Sequence, residues 1–268
     1  MAREFLEAVG LTDVGNVRQF NEDRIVVAPK IGVMALADGM GGHRAGEVAS
    51  HLATELVLTG IRSRLARLQS TANQHSPLLV LEQSINQANR MIMEAGLASP
   101  AHKGMGTTLA VALFHDDGVA IAHVGDSRIY RLRDGALELL TRDDSLLRQQ
   151  VDAGLIAARD AGDSHNRALV TQAVGVAERV DAHLASIGAL PGDVFLLCSD
   201  GLSDLVDDTD IALIVDSLAP NLPLAAQILV QAAKDNGGYD NVSVILCRVK
   251  APFPLHRGWL VRLFGWLS

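Results

Sequence analysis

Four aspartates stand beside apolar runs in this chain, each next to glycine or a small polar residue. The run 31–37 ends on Asp38-Gly39-Met40-Gly41-Gly42-His43, and the run 195–199 ends on Asp200-Gly201. Ala122-His123-Val124 leads into Gly125-Asp126-Ser127, and Asp240-Asn241 opens the run 242–249. Apolar runs without polar partners read as strands buried on both faces, so each carboxylate should stand at a strand end, on the edge of a sheet. At Asp38-Gly39 the backbone is expected to turn sharply, glycine permitting both the turn and a ligand's close approach. Carboxylate oxygens without clustered His or Cys suit hard cations such as Mg2+ or Mn2+. A further acidic pair, Glu22-Asp23, closes a polar, glycine-punctuated loop that begins at Asp13 and carries Arg18.

Periodicity predicts the elements that must position these groups. Strands are expected over 5–12, 24–28 and 31–37. Val48, Leu52, Leu56, Ile61, Leu65 and Leu68 recur at helical spacing, as do Leu78, Leu81, Ile85, Ala88, Ile92 and Ala95; these predict two long helices, antiparallel neighbours on one face of a sheet. Turn residues at Asp116-Asp117-Gly118 and Asp134-Gly135 predict hairpins over 107–124 and 129–140. A short helix over 145–153 precedes a polar loop reaching about residue 167. Strands over 182–187, 194–199 and 242–249 and helices over 209–218 and 224–234 complete the chain, with Pro223 well placed before the second helix. Runs of strands interrupted by helix pairs indicate an α+β fold rather than a parallel βαβ array.

Composition narrows the function. A chain of 268 residues, 49% of them hydrophobic, can build one large core. A formal net charge of −8 argues against a nucleic-acid partner. Cys198 and Cys247 both lie in apolar strands and are expected to be free, buried thiols of a reducing compartment. Neither a signal peptide nor an apolar run of roughly 18 residues is present, so a cytoplasmic location is expected.

Six motifs occur in a fixed order: Asn21-Glu22-Asp23, Asp38-Gly39-Met40-Gly41-Gly42-His43, Gly104-Met105-Gly106-Thr107-Thr108, Gly125-Asp126-Ser127-Arg128, Ser199-Asp200-Gly201-Leu202-Ser203-Asp204 and Asp240-Asn241-Val242-Ser243. This series resembles the metal-dependent serine/threonine phosphatases of type 2C in their bacterial single-domain form, over residues 5–249. The resemblance implies a central antiparallel β-sandwich flanked by pairs of antiparallel helices. It implies a catalytic domain over 1–250; the remaining residues, 251–268, are read from their own composition as an apolar, aromatic and arginine-bearing tail. It also implies hydrolysis of phosphoserine and phosphothreonine on proteins, the substrates of a serine/threonine kinase, by a monomeric enzyme.

By the same resemblance, Asp38 bridges two Mn2+ or Mg2+ ions, and Asp200 and Asp240 complete the first ion's shell. The Gly39 carbonyl binds the second ion, with Glu22 attached directly or through water. Asp23 holds metal-bound waters, and Asp126 contributes to a third, weaker ion. Two ions sharing a carboxylate lower the pKa of a bridging water, which then attacks phosphorus in line without a phosphoenzyme. Arg18 takes the phosphate-binding position, its planar fork matching phosphate oxygens. His43 is the candidate general acid; the alternative is that it packs at the helix start. Relatives commonly carry His where this chain has Asp144, and the segment 145–167 corresponds to the family's substrate-selecting flap or, alternatively, forms a solvated face. A catalytically weak member that binds phosphoproteins is the competing reading; a calcium module is disfavoured, since no loop has EF-hand spacing.

The tail 251–268 falls outside the resemblance. It holds both tryptophans, two arginines and no acid. It could fold back over an apolar groove of its own domain, dock on a partner, or lie on an anionic membrane surface.

Overall fold

The structure is a computed structural model and describes residues 4–41, 45–68, 76–156 and 169–254. In chain order the elements are β1 (Leu6–Asp13), β2 (Asp23–Ala28), β3 (Val33–Met40), α1 (Ala45–Leu68), α2 (Pro77–Ala98), β4 (Gly106–Thr107), β5 (Leu109–His115), β6 (Gly118–Val124), β7 (Arg128–Arg133), β8 (Ala136–Leu139), α3 (Leu146–Asp152), β9 (His183–Gly188), β10 (Val194–Cys198), α4 (Asp200–Ser203), α5 (Asp208–Ser217), α6 (Leu222–Asp235) and β11 (Val242–Val249). One sheet runs β1-β11-β10-β7-β8 and the other β2-β3-β5-β6-β9, with β4 paired to β3. Every pairing is antiparallel. The α+β sandwich expected from sequence is the fold observed.

Strand alternation sorts the apolar residues into three layers. On β3, Val33, Ala35 and Ala37 face α1 and α2, where they meet Val57, Ile61, Ile85 and Ile92. Met34 and Leu36 point the other way, into a layer between the sheets with Phe114, Phe195, Leu197 and Ile245. On the far side, Leu196, Cys198 and Val244 pack against Leu229 and Val230 of α6. Two-sided burial explains why these strands read as unbroken apolar runs. Cys198 and Cys247 are free and buried in different layers. At the C-terminal end, Phe253 bridges to Asp116 and sets its ring 6.0 Å from that of Phe5. No helix among the described residues is long and apolar enough to cross a membrane. Of the tail 251–268, residues 255–268 lie outside the described residues.

One local expectation is corrected. β3 does not end at Ala37; it runs on through Asp38 and Gly39 to Met40, which pair with Thr107 and Gly106 of β4 at its end. Asp38 therefore sits inside a strand, and the left-handed glycine comes later, at Gly41 with φ 148°. The reason for glycine at 39 is proximity. A Cβ there would stand 2.1 Å from the Gly46 carbonyl oxygen and 2.8 Å from that of Glu22. The seam between β3 and the first turn of α1 closes only without a side chain at this position.

Gly39→Ala is accordingly expected to destabilise the protein by ~1–3 kcal/mol, the usual cost of forcing atoms into a packed seam. Gly188→Ala, where an added Cβ meets nothing within 4 Å, should change stability by less than about 0.5 kcal/mol. Urea unfolding of the two variants checks the difference.

Candidate active site

The antiparallel register of β2 and β3 sets Asp23 directly opposite Asp38. Asp38 continues the face of Met34 and Leu36, so its carboxyl enters the rim of the gap between the sheets. Its backbone is fixed on both sides. The Asp38 amide donates to Thr108 Oγ1 at 3.0 Å, and its carbonyl accepts from the Thr108 amide and the Thr107 hydroxyl, both at 2.8 Å. Thr108 Oγ1 lies 2.7 Å from Ser127 Oγ, which ties this strand to the Gly125-Asp126-Ser127 turn. Gly125 has φ 97° and packs so closely on Thr108 that a side chain would collide with it.

The opposite sheet supplies the remaining acids. β10 stops at Cys198, and Ser199-Asp200 opens α4. Strand alternation would have put Asp200 on the face of Cys198; the turn into α4 brings it toward Asp38 instead. Ser199 Oγ donates to Asp23 Oδ2 at 2.9 Å and accepts from the Ser243 amide at 3.0 Å, stitching β10, β11 and β2 together. Asn241 is a second stitch. Its Oδ1 accepts from the Glu22 amide at 2.8 Å, and its Nδ2 donates to the Val14 and Phe20 carbonyls, both at 3.0 Å. The loop carrying Arg18 is thereby held against Asp240, and Arg18 Nη2 reaches Asp240 Oδ2 at 2.7 Å. Glu22 Oε1 lies against Gly46 at the first turn of α1, where the helix dipole favours an anion.

The electrostatics follow from this crowding. Burial of its carboxyl pushes Asp38 well above the usual range, and the charges of Asp23, Asp200, Asp126 and Asp240 add to the effect. Burial raises Asp200 likewise, reinforced by Asp126, Asp240 and Asp204. Asp23 is pushed up to about 6 by burial, although the Ser199 hydroxyl opposes the shift. Asp126 also reaches about 6, through burial and the charge of Asp143. Glu22 is raised by burial, against a backbone hydrogen bond at Glu47. The buried oxygens Asp23 Oδ1 and Asp200 Oδ1 have no hydrogen-bond donor. An all-oxygen cluster with undonated buried oxygens and rising mutual repulsion is a donor set that fits hard divalent cations.

Arg18, Glu22, Asp23, Asp38, Gly39, Asp126, Asp200 and Asp240 all converge here. His43 lies outside the described residues. Three participants escaped the sequence reading. Asp204, one turn after Asp200, adds to the field at both Asp126 and Asp200. Asn241 and Ser199 stand in the sequence only as members of motifs, although a polar residue beside a strand-end aspartate is a usable signal. Arg128, in the Gly125-Asp126-Ser127-Arg128 motif, turns away and pairs with Asp143 at 2.7 Å.

Raised carboxyl pKa values mean that the folded chain binds protons more tightly than the unfolded chain, where Asp titrates near ~3.9. Stability without divalent ions should therefore be greatest at low pH and fall as pH rises from about 4 through about 6 and beyond, since Asp38 and Asp200 are also raised well above the usual range. In chelator, the melting temperature is expected to drop across that window. Saturating Mg2+ should raise it again, most strongly at the high-pH end. A flat profile in chelator would contradict the charge crowding.

Comparison with known proteins places the chain. A family model described as Protein phosphatase 2C matches residues 16–231. The serine/threonine protein phosphatase PstP of Mycobacterium tuberculosis is 38% identical over 239 residues, which span 89% of this chain and 44% of that protein. The serine/threonine phosphatase stp of Listeria monocytogenes is 35% identical over 88% of this chain and 92% of its own length. Among solved structures, the catalytic domain of PstP in complex with two manganese ions superposes with a TM-score of 0.77 at 36% identity, covering 91% of this chain and 98% of that one. This chain belongs to the protein phosphatase 2C family.

Proposed function

We propose that this chain hydrolyses phosphoserine and phosphothreonine on proteins with the help of divalent cations, Mn2+ or Mg2+, held by the carboxylate cluster. The observation that carries the reading is the convergence of Asp38, Asp200, Asp126 and Asp240 from four separate chain segments, with Arg18 beside them. The names of the relatives and the two manganese ions of the PstP catalytic domain support it. Asp38, centred among the other acids, would bridge two ions. Asp200 and Asp240 would complete one shell, and the Gly39 carbonyl would serve the other, with Glu22 reaching it directly or through water. Asp23 would orient water, and Asp126 would serve a third, weaker position.

Ions held in this way supply charge neutralisation and an acidified water; the protein's own groups bind and orient. Arg18 is half exposed and already aimed at the carboxylates, so its guanidinium is placed to take a phosphate oxygen arriving from solvent. Thr107, Thr108 and Ser127 hold the backbone without touching the carboxylates, while the Ser199 hydroxyl takes Asp23 Oδ2 and the Asn241 backbone amide takes Asp240 Oδ1, each leaving the other oxygen of its acid free of these bonds. His43 is assigned to protonate the leaving serine or threonine oxygen. Substrates would be proteins phosphorylated by serine/threonine kinases, met by a monomer in the reducing cytoplasm that the free thiols Cys198 and Cys247 suit.

Asp38→Ala is expected to abolish Mn2+-dependent release of p-nitrophenol from its phosphate ester while melting remains cooperative. Near-wild-type turnover at saturating Mn2+ would refute the two-ion reading. Arg18→Ala should raise KM and weaken inhibition by inorganic phosphate. Its melting temperature should move little, because an exposed ion pair contributes only about 0–1 kcal/mol. A lowered melting temperature with unaltered kinetics would make Arg18 a structural residue.

A further inference from the structure

Away from the carboxylate cluster, β6 and β9 pair so that His123 stands directly opposite His183. Their rings stack with centroids 4.8 Å apart and planes 21° from parallel. Asp144, from the loop before α3, closes the group, its Oδ1 lying 2.8 Å from His183 Nε2. One ligand atom from each of the three residues lies within 4.8 Å of the other two. We propose that His123, Asp144 and His183 form a second metal site, chemically distinct from the carboxylate cluster, that takes a borderline transition cation such as Zn2+.

The donor types point to that class of ion. Two imidazoles and one carboxylate make a ligand set that Zn2+ accepts, with a fourth position left to water, whereas Mg2+ takes oxygen; the half-exposed His183 ring would turn out of its stack on His123 so that the two in-plane lone pairs converge on the ion. The outer contacts are those that metal ligands need. His123 Nε2 lies 2.7 Å from the Arg142 carbonyl, which can only accept, so Nε2 carries the proton and Nδ1 keeps its lone pair. Asp144 Oδ2 is held by the Gly125 amide at 3.0 Å, and Oδ1 faces His183 with a longer contact of 3.4 Å from Gln172 Nε2 beside it. Burial and the neighbouring His183 lower the pKa of His123, favouring the neutral ring that binds metal. His123 and Asp144 are buried, but the His183 side chain is 48% exposed, which gives an ion a route in. The ion would take the place of the hydrogen bond between His183 Nε2 and Asp144 Oδ1, the neutral ring carrying its proton on Nδ1 instead.

The position has a structural consequence. The Asp144 amide donates to the Gly125 carbonyl at 2.9 Å, and the Asp144 carbonyl accepts from the Thr171 amide at 2.7 Å. Ser145 bridges to Val170. An ion here would pin the neck where the chain leaves the sandwich and returns to it, one residue from Asp126.

Calorimetric titration of the full chain with Zn2+ in saturating Mg2+, which fills oxygen sites first, tests the site. Wild type is expected to bind one equivalent more than His183→Ala and one more than Asp144→Asn. Because the His183 side chain is half exposed, its truncation should leave the fold intact, and cooperative melting of the variant checks this. Zn2+ should also raise the wild-type melting temperature in Mg2+ but not that of His183→Ala. Equal stoichiometry in wild type and either variant overturns the proposal and leaves the triad as a hydrogen-bonded brace. The readout is binding, so it stands or falls separately from the phosphatase reading.

Discussion

Like charges held together out of water are the constraint on which this structure turns. Asp23, Asp38, Asp126, Asp200 and Asp240 meet at one rim of the sandwich, where each raises the others' pKa or is raised by burial. An isolated buried carboxylate would protonate or find a cation. Here Arg18 supplies only one positive charge, at the exposed margin of the cluster. The arrangement is thus under electrostatic tension that divalent ions relieve, and affinity for those ions is the same quantity seen from the other side.

Such tension requires a rigid frame. Three apolar layers provide it: helix on sheet, sheet on sheet, and sheet on helix. At the rim itself the frame is held by neutral groups. The hydroxyls of Thr107, Thr108 and Ser199 and the amide of Asn241 satisfy backbone donors and acceptors, and the Ser127 hydroxyl braces that of Thr108. They locate the carboxylates and compensate only Asp23, through the Ser199 hydroxyl on its Oδ2, so that Asp23 Oδ1 and Asp200 Oδ1 stay available. The bare seam at Gly39 and Gly46 serves the same end by letting α1 start against β3, close to Glu22.

The second sheet edge repeats the logic with softer donors. His123, Asp144 and His183 also come from three elements, and backbone amides and carbonyls again fix which atoms are presented. Asp144 is hydrogen-bonded through both its amide and its side chain to Gly125, so the two clusters share one loop. At position 144 this chain has a carboxylate facing a cross-strand imidazole pair.

Much of this was readable before folding. Periodicity located the long helices, the hairpins and the buried strands, because burial on one or two faces leaves its mark on neighbouring residues. Acid beside glycine or a small polar residue marked Asp38, Asp126, Asp200 and Asp240. Local signals could not say that β3 continues through Asp38, since that depends on pairing with β4, sixty-odd residues later. Nor could they turn Asp200 off the face of Cys198, set Glu22 against α1, or stack His123 on His183. Each of those depends on register and on packing between segments far apart in sequence. The chain itself determined which groups are charged and which surfaces must be buried, because both are properties of single residues and their near neighbours. Only the tertiary structure decided which charges meet, because interaction energy depends on distance in space, and distance is set by strand register and close approach.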